Sequence, residues 1–77
     1  MKKLRHRLVE GRSRTEVQTL IDEWIIGQHG ERNRRIVTRY LIDGVKLETI
    51  AEENDMSVQG ICEVIYDNCK RLVEHLN

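Results

Sequence analysis

Residues 47–61 read Leu-Glu-Thr-Ile-Ala-Glu-Glu-Asn-Asp-Met-Ser-Val-Gln-Gly-Ile, and this stretch decides the fold. Leu47, Ile50 and Ala51 are spaced as one face of a short helix of about two turns, ending near Asn54 and too short to be stable alone. Ser57 is a good N-cap for a second helix, which meets no proline before Leu76 and only one glycine, Gly60. Asn54, Asp55 and Met56 form a connection of the length a helix-turn-helix needs.

Upstream, Ser13-Arg14-Thr15-Glu16 fits a capping box, so a helix is expected over residues 14–28, with Val17, Leu20, Ile21, Trp24 and Ile25 on its apolar face and Gly30 as its stop. Trp24 lies on that face and is expected in the core. Ile36, Val37, Tyr40 and Leu41 place a second helix over residues 32–43. Residues 1–12 are basic, with Leu4, Leu8 and Val9 as their large apolar side chains besides Met1. They are read as an arm preceding the domain of residues 13–77. The expected architecture is all-α, four helices in one compact domain, closed by a helix-turn-helix with a long last helix. Its core is expected around Ile50, Ala51, Ile61, Val64 and Leu72.

A chain of 77 residues has room for one small core. With 39% apolar and 34% charged residues it has globular composition, and no apolar run approaches the ~18 residues of a membrane span. No secretory signal is visible, and with only Cys62 and Cys69 there is neither a disulfide framework nor a zinc spacing. A soluble, cytoplasmic protein in a reducing compartment is expected, without cofactor, metal, membrane or small-molecule substrate. Seven residues apart on one helix, the two sulfurs would stand about two turns, or ~10.5 Å, apart, too far for a bridge, and are read as small buried hydrophobes. His6, His29 and His75 share no spacing with an acid or thiol and are expected to face solvent. Neither a phosphate loop nor a paired-carboxylate motif occurs, so no catalytic residue is assigned and an enzyme is not expected.

Thirteen basic and thirteen acidic residues cancel overall but are segregated. Residues 1–14 carry a net +5, residues 31–39 a net +3, and residues 43–67 a net −6. A polyanion is attracted to the first half and repelled by part of the second. Arg32, Arg35 and Arg39 recur at three and four, as a stripe along a helix.

Taken together, Arg39-Tyr40, the glycine-containing link, Leu47-Glu48-Thr49-Ile50-Ala51-Glu52-Glu53, Met56-Ser57 and Ile61 resemble region 4 of bacterial sigma factors, and the small sigma-like proteins of bacteria and their phages. The resemblance covers residues 36–72, about half of the chain. It implies a promoter-reading helix-turn-helix whose serine-capped helix enters the major groove of double-stranded DNA, acting with RNA polymerase. The positions reading base edges would be Val58, Gln59, Cys62 and Glu63. The family commonly places arginine where Val58 and Cys62 stand, and neither can grip guanine or phosphate as a guanidinium does. Gln59 suits adenine and Glu63 suits cytosine. Arg39 matches a basic position touching phosphate, and Lys46 sits where a helix start approaches it. With Arg32 and Arg35, these form the expected phosphate-binding set.

Projected at 100° per residue, the last helix has an apolar arc of roughly 200°, interrupted by Asn68, where one packing partner needs little over ~100°. Val58, Cys62, Tyr66, Cys69 and Val73 form the surplus edge. Either the first helix or the basic arm covers it, or it is an interface for a homodimer or another protein. Two functions follow: a DNA-binding transcription regulator, or a dimeric interaction module of the same fold that has lost groove reading.

Overall fold

Ser13 caps the first long helix as its sequence predicts: its hydroxyl accepts from the Glu16 amide at 3.1 Å, and its own amide donates to Glu16 Oε1 at 3.2 Å. The computed structural model describes residues 2–76. They form α1 (Lys2–Val9), α2 (Arg14–Trp24), α3 (Gly30–Leu41), α4 (Leu47–Glu53) and α5 (Val58–Glu74), with no strand among the described residues. No helix among them is long and apolar enough to cross a membrane.

The expected count of four helices is corrected to five, because the basic arm contains a helix. Leu4 and Leu8 are four residues apart and Val9 adjoins them, which is enough for one buried stripe when α5 supplies the other side. Leu8 is fully buried, and Leu4 and Val9 pack against the core. Arg12 then crosses the end of α1, donating to the Arg7 carbonyl at 2.7 Å and so satisfying an acceptor the helix leaves free.

α2 stops at Trp24, earlier than the expected residue 28. Gly27 adopts φ 90°, closed to most side chains, and Arg34 Nη1 takes the Ile25 carbonyl at 2.7 Å. Gly30, expected as the stop of this helix, instead begins α3. Trp24 is corrected too: it is 37% exposed and stacks on His75, with ring centroids 3.7 Å apart and planes 7° from parallel. The helix ends at Trp24, so its ring lies at the rim of the core and closes over the imidazole at the C-cap of α5. His6, His29 and His75 are exposed, as expected, but His6 is paired with Glu10 one helical turn on, an acid spacing that the sequence reading did not give it.

α5 is the hub, touching all four other helices. Ile61, Ile65 and Leu72 are fully buried on it, facing a core that includes Ile21, Ile25, Ile36, Val37 and Ile50. Ile50, Ala51, Ile61 and Leu72 are buried as expected, while Val64 is only half-buried. Asn68, which interrupts the apolar arc, is buried because its Nδ2 donates to the Val64 carbonyl at 2.7 Å.

The surplus edge divides. Cys69 is buried and Val73 and Cys62 are half-buried, whereas Val58 and Tyr66 remain 41% and 45% exposed. The arm helix packs on α5, so the covering explanation accounts for part of the edge and leaves its N-terminal half open. Burial pushes the Cys69 thiol up to about 12, which makes it a poor nucleophile at neutral pH.

Candidate nucleic-acid interface

The start of α5 is built by its cap. Ser57 Oγ accepts from the Gly60 amide at 3.0 Å, and a Cβ at Gly60 would stand 3.2 Å from that oxygen and 3.4 Å from Met56 Cε. A glycine here keeps the cap tight. The chain reaches it from α4 through a closed turn: the Met56 amide donates to the Ala51 carbonyl at 3.0 Å, and Asn54 Nδ2 donates to the Ile50 carbonyl at 2.7 Å. Asp55 takes φ 53°, a left-handed conformation that aspartate tolerates better than most residues.

With Ile61 and Ile65 turned inward, the first two turns of α5 present Val58, Gln59 and Glu63 to solvent, with Cys62 half-covered beside them. Gln59, Cys62, Glu63, Tyr66 and Asp67 line a shallow depression of about 350 Å³. All four expected base-reading positions therefore lie together along the first part of one helix. The face is neutral to acidic: Glu63 and Asp67 are exposed on it, and Lys70, 5.8 Å from the centre of the Tyr66 ring, is farther along.

The expected phosphate-binding residues differ in their freedom. Arg35 is exposed and makes no ion pair or hydrogen bond among the described residues, and Lys46 is exposed at the start of α4. Arg32 is half-buried, with Nε and Nη2 on Asn33 Oδ1 at 3.2 and 3.1 Å. Arg39 is held by acids: Nε donates to Glu53 Oε1 at 3.1 Å, Nη2 to Oε2 at 2.5 Å, and Nη1 to Asp43 Oδ2 at 3.2 Å. These bonds raise its already high pKa and hold the Glu53 carboxyl below the usual range. Because the Glu53 pKa is lowered, the pair is fully formed above the ordinary glutamate value and is lost only as pH falls through the lowered one.

The positive charge of residues 1–12 is evident in the sequence, but that a helix carries it is not among the expectations. Lys2, Lys3, Arg5 and Arg7 are exposed on α1, and Arg5 lies 5.9 Å from the centre of the Tyr40 ring. The signal was present in the spacing of Leu4, Leu8 and Val9. Among the described residues, no group of three or more His, Cys, Asp or Glu is placed to hold a metal ion.

No family model, curated protein or solved structure matches this chain.

Proposed function

We propose that the protein is a DNA-binding helix-turn-helix transcription regulator in which α4 and α5 are the two helices of the motif and the start of α5 enters the major groove. The observation that carries this reading is the division of α5: Ile61, Ile65 and Leu72 are fully buried, while Val58, Gln59 and Glu63 are exposed at its capped end. That end follows α4 across a turn of the required length. The resemblance to sigma factor region 4 adds action alongside RNA polymerase, in the cytoplasm. Gln59 and Glu63 read base edges, Val58 and Cys62 make apolar contact, and Arg35, Lys46, Arg32 and the basic α1 anchor phosphates.

The test is a titration against duplex DNA of mixed sequence over a range of salt. Log affinity is expected to fall against log salt with a slope of about −0.9 per phosphate contacted. Arg35→Ala is expected to weaken binding to every sequence and flatten that slope by about 0.9. Equal slopes for Arg35→Ala and the unchanged protein would remove Arg35 from the interface.

A second reading, a dimeric interaction module, is favoured by one observation: Val58 and Tyr66 are exposed large side chains on a face where Glu63 and Asp67 outnumber Lys70. Solution mass separates the two. A monomer at micromolar concentration that binds DNA fits the first, and a dimer that does not bind DNA fits the second.

A further inference from the structure

Each of the three guanidinium nitrogens of Arg39 donates to an acid. The edge formed by Nε and Nη2 is bidentate to Glu53, and Nη1 is taken by Asp43. Asp43 is itself shared, with Arg14 Nη2 standing 3.6 Å from its other oxygen. Two arginines from α2 and α3 thus converge on one carboxylate in the link between α3 and α4, and a second carboxylate closes the fork from the last residue of α4. A backbone phosphate is recognised by the same fork with the same parallel N–H donors. Carboxylate and phosphate cannot hold those donors together.

We propose that Glu53, assisted by Asp43, is an intramolecular competitor for a phosphate-binding site at Arg39, so that in the unmodified protein this arginine is withheld from DNA. The proposal rests on the DNA reading above and adds an acidic brake on its affinity. The position suits that role: the masked arginine is tied to Glu53, the last residue of α4, from which a short turn leads to the capped start of α5. The ion pairs that hold Arg39 are open to exchange with a competing anion. Arg39, Asp43 and Glu53 are each about a third exposed, with side-chain accessibilities of 35%, 32% and 38%, and ion pairs so placed are weak.

The experiment is a double-mutant cycle on duplex affinity across salt, with the full chain as wild type, Glu53→Gln, Arg39→Ala and both together. Glu53→Gln is expected to tighten binding about fivefold, the upper end of what an exposed ion pair withholds. It is also expected to steepen the salt slope by about 0.9 as Arg39 takes a phosphate. In the Arg39→Ala background the same change is expected to give less than about a twofold gain, the residue of long-range charge removal. Asp43→Asn leaves the end of α4 intact and is expected to give a smaller gain with the same dependence on Arg39, which keeps the test decisive if Glu53→Gln melts early. Equal gains with and without Arg39 overturn the brake and leave general electrostatics. A wild type that binds while Glu53→Gln binds no better overturns it as well. If no variant binds duplex at low salt, the DNA reading itself fails and the brake with it.

Discussion

Leu8→Ala is expected to destabilise the domain by about 3 kcal/mol, within the usual range for a fully buried leucine. In a chain of this size that lowers the melting temperature by roughly 12–24 °C. The effect is large because α1 has little to hold it except its apolar stripe. Eight residues make a helix that is marginal in water, and Lys2, Lys3, Arg5 and Arg7 repel one another along it. Leu8 is its one buried residue, packed into the cluster that also holds Ile36, Ile61 and Leu72. Leu4→Ala, at a half-buried site, is expected to cost distinctly less. Thermal unfolding followed at 222 nm checks both. A Leu8→Ala midpoint within about 2 °C of wild type would mean that α1 is not docked in solution.

Val58→Arg is expected to tighten DNA binding by about tenfold, the equivalent of ~1.4 kcal/mol and the low end of a charge-assisted contact. Two opposing effects are smaller. A positive side chain in the first turn of α5 meets the helix dipole unfavourably by about 0.3–1 kcal/mol, but this lowers stability rather than affinity. The loss of apolar contact is modest because Val58 is 41% exposed and outside the buried cluster. Substitutions at such surface sites usually fall within about 0.5 kcal/mol. Affinity at fixed salt, with melting temperature as a control, checks the prediction; an unchanged affinity would place Val58 outside the DNA contact.

The α4–α5 pair was legible because every device that makes it is local. Leu47, Ile50 and Ala51 fall within one turn of one another, and the Ser57 cap acts on Gly60 three residues on. The arm was not legible as a helix, since its stripe of three apolar residues sits among five charged or histidine side chains and lacks a capping residue. Only the exposed face of α5 makes that stripe worth burying. Trp24 illustrates another limit. Its periodicity was right, yet the end of α2 depends on Gly27 and on Arg34 reaching back to Ile25, and its ring partner His75 lies at the far end of the chain. The candidate site divides along the same line. Gln59 and Glu63 are exposed because the helix pattern requires it, whereas the capture of Arg39 by Glu53 depends on the packing of α3 on α4, which no spacing along the chain records.

The most direct measurement is amide chemical-shift mapping of the labelled protein as duplex DNA of mixed sequence is added at low salt. Perturbations are expected to concentrate at residues 57–63, with Lys46 and Arg35 as flanking phosphate contacts, while the Trp24 indole stacked on His75 stays unchanged. No perturbation at residues 57–63 when DNA is saturating, or shifts confined to the basic residues of α1, would contradict the assignment of α5 to the groove.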